Sequence, residues 1–169
     1  MVDGGSSDTT AARAAPLADH VAASAPQWSG FGLAVQSYQT RARETVDAVA
    51  AIGRDRGLRL MVRLVKGAYW DAEIKRAQVD GMPGYPVYTR KVYTDVSYLN
   101  CAKKLLAATD VIYPQFATHN ALTLSTIYTW AQEANITDYE FQCLHGMGEP
   151  LYRQVVGPLQ RPCRIYAPV

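Results

Sequence analysis

The stretch Leu60-Met-Val-Arg-Leu-Val-Lys-Gly-Ala-Tyr-Trp-Asp71 constrains what this chain can fold into more than any other. Its first six residues are apolar apart from Arg63, with a β-branched residue on each face. Such a run reads as a strand buried on both sides, as in a parallel sheet. Arg63 interrupts it, and a guanidinium there must be paired or face a site. Lys66 stands where the strand should stop, and Gly67 permits a sharp turn or a close backbone approach. Residues 72–78 then read as a helix. Strand, then cations, glycine and aromatics, then helix is the βα-loop arrangement in which α/β folds place ligands. The two cations point to an anionic or electron-rich partner. A plainer reading pairs Arg63 with a neighbouring carboxylate and leaves Lys66 in solvent, and the stretch alone does not choose between them.

The rest of the chain repeats the pattern. Gly30–Gln36 reads as a strand ending in an amide, followed by a helix through Ala42, Val46, Val49 and Ala50 that Gly53 and Gly57 close. After the helix that follows Trp70, residues 81–86 break the chain. Asp95 is placed to cap a helix through Ala107, with Val96, Leu99, Ala102 and Leu106 on one face. Val111–Ala117 is a strand that Pro114 demotes to an edge or a bulge, and it ends in Thr118-His119-Asn120. A helix through Leu124, Ile127, Tyr128 and Ala131 follows, then a strand over Tyr139–Leu144 ending in His145. Pro150 opens a helix whose inner face carries Leu151 and Val155, and Arg164–Val169 reads as a last strand. Strands and helices thus alternate five times, which argues for βαβ units and a parallel sheet. Gln36, Arg63 with Lys66, His119 and His145 fall at successive strand ends, where a barrel or an open α/β sheet builds its site. A barrel closes with eight strands, so five imply either an open sheet or a piece of something larger.

Composition excludes several functions. A net charge of +2 over 169 residues gives no case for nucleic acid. Cys101, Cys143 and Cys163 are odd in number and widely spaced, which suits free thiols in a reducing compartment. No apolar run approaches the roughly 20 residues of a membrane span, and no secretory signal is visible. Met1–Thr10 is small, polar and expected to be disordered, an Ala-rich helix can follow it, and His20 is expected at the surface.

Five motifs carry a resemblance: Arg63-Leu-Val-Lys-Gly-Ala-Tyr-Trp-Asp71, Gly84-Tyr-Pro-Val-Tyr-Thr-Arg-Lys-Val-Tyr-Thr-Asp95, Tyr113-Pro-Gln-Phe-Ala-Thr-His-Asn120, Phe141-Gln-Cys-Leu-His-Gly-Met-Gly-Glu-Pro150 and Arg161-Pro-Cys-Arg-Ile-Tyr-Ala-Pro168. Together they resemble the proline dehydrogenase domain of the bifunctional proline utilisation (PutA) family. The likeness covers residues 28–169, and residues 1–27 are expected to be a flexible segment outside it. It implies an α/β fold, a TIM-like (βα)8 barrel present here as about its second half, strands four to eight. It implies FAD as cofactor and oxidation of L-proline to Δ1-pyrroline-5-carboxylate by hydride transfer, within a longer parent protein. By the same likeness Arg63 lies beside flavin N5, and Tyr69, Leu144 and Tyr166 face proline. Gln36, Val65, Lys66, Gly67, Ala68 and Gln142 match positions around the flavin ring, with Gln36 on its pyrimidine edge. Trp70, Thr118 and His119 match the adenine end, and Thr89 and Lys91 the ribose and phosphate part. No metal and no nucleic acid is implied. The expected partners are a quinone or other electron acceptor, at the membrane surface or elsewhere, and a downstream pyrroline-5-carboxylate (aldehyde) dehydrogenase domain. The expected location is the cytoplasm or the periphery of the inner membrane.

The chemistry agrees with those roles. Flavin reduction builds negative charge that a fixed cation stabilises, pyrophosphate suits Lys and Thr donors, and an indole offers a stacking face to adenine. Other readings use the same residues. Lys66 could form a Schiff base as in a class I aldolase, His119 and His145 could begin a metal site, and the isolated chain could be an inactive fragment lacking half of a substrate site.

Overall fold

A computed structural model of the protein describes residues 7–25, 27–28 and 30–167. Helix α1 (Ser7–Ser24) leads into strand β1 (Gly32–Gln36), α2 (Ala42–Arg56), β2 (Leu60–Val65), α3 (Trp70–Val79) and α4 (Lys91–Ala107). β3 (Ile112–Ala117), α5 (Ala121–Glu133), β4 (Glu140–Leu144), α6 (Glu149–Val156) and β5 (Cys163–Tyr166) complete it. All four strand pairings are parallel and the strands lie in chain order. Each strand beside its predecessor is the winding of an α/β barrel rather than of a doubly wound sheet. Among the described residues β1 and β5 are the open edges.

The helices cover one face of the sheet. Leu60, Val62 and Leu64 of β2, Ile112 and Phe116 of β3, and Phe141 of β4 are buried with Val46, Val49, Tyr98, Leu105 and Ile127 from the helices. β2 is therefore buried on one side only, because Met61, Arg63 and Val65 are half-buried on the face away from the helices. The expectation of a strand covered on both sides fails there, since that face opens onto a cavity.

Several local expectations are corrected. α3 starts at Trp70, two residues early. Gly53 lies buried inside α2, and Gly57 alone ends it, in the left-handed conformation at φ 61°. Arg90, not Asp95, is the N-cap of α4, and its side chain makes no capping hydrogen bond. Val96 points to solvent, whereas Thr94, Tyr98, Cys101 and Leu105 form the inner face. Pro114 sits in a central strand, tolerated because the ladder to β4 starts only at Gln115.

Residues 7–10, expected to be disordered, belong to α1, while residues 1–6 lie outside the described residues. α1 buries Ala14, Ala18 and Val21, and Asp19 pairs with Arg56 of α2 at 2.5 Å. His20 is exposed. Among the described residues no helix is long and apolar enough to cross a membrane.

Candidate functional site

Strand register assembles the site. Gln36 lies beside Val65, Ala34 beside Arg63, and Arg63 beside Gln115. Side chains alternate across a strand, so Ala34, Gln36, Arg63, Val65 and Ala117 share the face away from the helices. They floor a cavity of about 690 Å³ at the C-terminal ends of β1 to β3, with Tyr166 of β5 on its far wall. That volume lies within the roughly 300–1,000 Å³ of small-molecule sites.

Arg63 has no carboxylate partner among the described residues, so the plain ion-pair reading of it fails. Its guanidinium carbon stands 4.2 Å from the centre of the Tyr166 ring, a cation–π contact. Its Nε is buried without a hydrogen-bond partner. A buried donor left unpaired is costly, and such an orphan at a cavity marks a place where a ligand acceptor fits.

Lys66 is partly exposed but ion-paired, not free in solvent. Its Nζ lies 2.5 Å from Asp95 Oδ1, and Lys91 Nζ lies 2.6 Å from Asp95 Oδ2. Burial works to raise the Asp95 pKa, but the hydrogen bonds from Lys66 and Lys91 outweigh it and hold the carboxyl below the usual range. The ion pair also disfavours the Schiff-base reading, because Asp95 occupies the amine that a carbonyl substrate would have to reach. Among the described residues no three metal-ligating side chains gather, so His119 and His145 lack a third ligand.

Gly67 follows at φ 124°, and a Cβ built there would lie 2.7 Å from the Tyr38 ring. Both backbone and space demand glycine. Gly67→Ala is expected to destabilise the fold by about 1–3 kcal/mol from the backbone alone, seen as a lower thermal midpoint; an unchanged midpoint would show that the loop is not held in this form.

A second recess of about 360 Å³ adjoins the first, sharing Lys66, Gly67 and Lys91 and adding Trp70, Thr89 and Tyr38. Trp70 is fixed by a 2.8 Å hydrogen bond from Nε1 to the Tyr88 carbonyl. The cavity itself gathers Gln36, Arg63, Val65, Lys66, Gly67, Ala68, Tyr69, Lys91, Thr118, His119 and Tyr166. Leu144 and Gln142 are not among its lining residues. Leu144 borders a separate, mostly apolar pocket against α6. Its N–H donates to His119 Nε2 at 3.0 Å, so a neutral His119 carries its proton on Nδ1. Asn120 caps α5, accepting from Thr123 N–H at 2.9 Å. Tyr152 of α6 ties two strand ends together, its hydroxyl 2.5 Å from the Thr118 carbonyl oxygen and 2.7 Å from that of Gln142.

Gln142 belongs to a polar cluster that the sequence reading missed. Glu140 Oε1 accepts hydrogen bonds from Gln115 Nε2 at 2.9 Å, Gln142 Nε2 at 2.7 Å and Arg164 Nε at 2.6 Å. Arg164 Nη2 donates to Oε2 at 3.0 Å, and the Tyr113 hydroxyl lies 3.4 Å from it. A lone carboxylate in the apolar run Tyr139–Leu144 was the available signal. Burial pushes the Glu140 pKa up, but the hydrogen bonds from Arg164 and Gln142 pull it below the usual range. Tyr113 moves the other way, to about 12, through burial and the nearby Glu140 charge. Because the folded Glu140 pKa is depressed, its stabilisation is full above the unfolded value near 4.3 and is lost as pH falls through the folded value. Urea midpoints measured from pH 6 down to pH 3 should fall less steeply for Glu140→Gln than for the wild type; parallel curves would show that the carboxylate is not held this way.

Comparison with known proteins shows which family the chain belongs to. The profile of the family described as Proline dehydrogenase matches residues 2–169. The chain belongs to the proline dehydrogenase family. It is 64% identical over 148 residues to the Bifunctional protein PutA of Escherichia coli K12, covering 84% of this chain and 11% of that protein. It is 57% identical to the Rhizobium meliloti PutA over 146 residues, 84% of this chain and 12% of that protein. A solved proline utilization A with proline bound in remote sites superposes with a TM-score of 0.84 at 54% identity, over 90% of this chain and 16% of the other. The enzyme from Bdellovibrio bacteriovorus inactivated by N-propargylglycine gives 0.81 at 38% identity, with the same coverage. The chain thus spans about one ninth of the length of the curated relatives it matches. The family is generally flavin-dependent, and the parallel strands in chain order fit its partial α/β barrel.

Proposed function

We propose that this chain forms the flavin side of a proline dehydrogenase site within a longer polypeptide, which oxidises L-proline to Δ1-pyrroline-5-carboxylate with FAD. The orphaned, buried Nε of Arg63 at the cavity floor carries the reading. When bound, FAD supplies a two-electron acceptor for the hydride that leaves the proline ring carbon beside the nitrogen. The residues present fit that cofactor. Arg63 offers a preorganised cation where electron-rich character develops. Gln36 and Gln142 offer amides to the ring, Val65 an apolar wall, and the Gly67–Ala68 backbone a close approach. Lys66, Lys91 and Thr89 surround the junction of the two recesses, where a pyrophosphate would find donors. Trp70, Thr118 and His119 would hold the adenine end. Tyr69 at the rim, and Tyr166 against Arg63, would face proline, joined by Leu144. Residues 28–169 would be the barrel segment, and residues 1–27 would precede it. The partners of this reading are a quinone or other electron acceptor and a downstream pyrroline-5-carboxylate dehydrogenase domain, in the cytoplasm or at the inner-membrane periphery.

The test is spectroscopic. The full-length protein reconstituted with FAD should be yellow, with flavin bound non-covalently, and anaerobic L-proline should bleach its flavin absorption. A folded protein that takes up no flavin, or whose flavin proline does not reduce, would overturn the proposal.

A further inference from the structure

The geometry points to Glu140 as a positioning residue for the flavin site: its carboxylate fixes how Gln142 presents its amide and keeps Arg164 neutralised beside the cavity floor. The inference rests on the flavin reading above. Glu140 has a side chain only 5% exposed. It sits on the sheet face away from the helices, in register with Gln115 and two residues before Gln142. A buried carboxylate has no packing role in a strand and persists only when fully paired. This one is paired on both oxygens, by two glutamine amides, a two-pronged guanidinium and a tyrosine.

Two consequences follow from its chemistry. An ionised carboxylate only accepts hydrogen bonds. Gln115 and Gln142 must therefore turn their NH2 ends toward it, leaving their carbonyl oxygens to face elsewhere. Gln142 pairs in register with Ala117, which lines the cavity; Gln142 does not line it, and its carbonyl is the end that Glu140 leaves free on that face of the sheet, where the flavin reading puts the ring. An acceptor at that position suits a ring N–H and rejects a ring carbonyl. The second consequence is charge. Glu140 and Arg164 cancel, so the cavity floor carries the field of Arg63 without a second uncompensated guanidinium beside it. Removing the Glu140 charge would free Gln142 to rotate and leave the Arg164 charge uncompensated, and both changes favour the more electron-rich, reduced flavin.

The experiment uses the full-length protein loaded with FAD, with the variants Glu140→Gln and Arg164→Gln. Each is checked for a cooperative melt before flavin affinity is measured by fluorescence and the midpoint potential by spectroelectrochemistry. Glu140→Gln should bind FAD roughly tenfold more weakly, the loss of one charge-assisted hydrogen bond, with its potential shifted upward. Arg164→Gln leaves the carboxylate uncompensated and should shift the potential downward. Potentials that stay at the wild-type value, or move in the same direction in both variants, overturn the inference, as does a defect confined to melting temperature. If Glu140→Gln does not fold, the sign of the Arg164→Gln shift decides alone. If the wild-type protein itself binds no flavin, the proposal of function falls, and the side-chain amide resonances of the flavin-free protein decide the positioning. The Gln142 amide should then shift and exchange faster in Glu140→Gln; an unchanged Gln142 signal overturns it.

Discussion

Arg63→Met should slow reduction of the flavin by proline roughly 10²–10³-fold, about 2.7–4 kcal/mol of lost transition-state stabilisation in comparable preorganised sites. Methionine approximates the length and apolar stem of arginine, so Leu60, Val62 and Leu64 of β2 should keep their packing against the helices. What disappears is the fixed charge at the cavity floor, together with the buried Nε that the described residues leave unpaired. Because no carboxylate partner is left behind among them, the substitution should strand no buried anion, and its effect should fall on chemistry rather than folding. FAD affinity should weaken as well. Stopped-flow measurement of flavin bleaching by proline, with a thermal melt as control, checks both. An unchanged reduction rate would remove Arg63 from the role assigned to it.

The 169-residue chain expressed by itself should self-associate and show no proline-dependent dye reduction. β1 and β5 are open edges among the described residues, and unpaired parallel edges template contacts with other chains. β5 also exposes an apolar side chain, Ile165, at 63%. Arg63 and Val65 face a cavity walled by strands on one side only. Size-exclusion chromatography, a thermal melt and a proline–dye assay test the expectation. A monodisperse monomer with a cooperative melt and proline-dependent dye reduction would overturn it.

Much of this was legible in the residues. The bounds of β2 follow from Leu60–Val65 alone, because apolar strands announce themselves over short range. The parallel winding followed from five alternations, and the site from polar residues at strand ends. What failed was long-range. Asp95 looked like a helix cap because Asp at such a place usually is one, yet its partner Lys66 lies on another element. Val96 was given to the wrong face because helical spacing fixes which residues share a stripe, not which stripe meets the core. Glu140 passed unnoticed because its meaning depends on Arg164 and Gln115, brought beside it only by the sheet. Pro114 was demoted by a rule about ladder donors that holds only where both neighbours pair along the whole strand.

The contact between Arg63 and Tyr166 carries a mechanical consequence. β3 and β4 separate their strands, and three inter-strand spacings would hold upright side chains on a flat sheet about 14 Å apart. The guanidinium carbon is instead 4.2 Å from the ring centre. The sheet must be strongly curved, hollow toward the cavity and convex toward the helices. The bend, and not any one loop, then sets the width of the site. Repacking on the convex side, at Ile127 or Leu105 for instance, would open or pinch the hollow from behind without touching a residue that lines it.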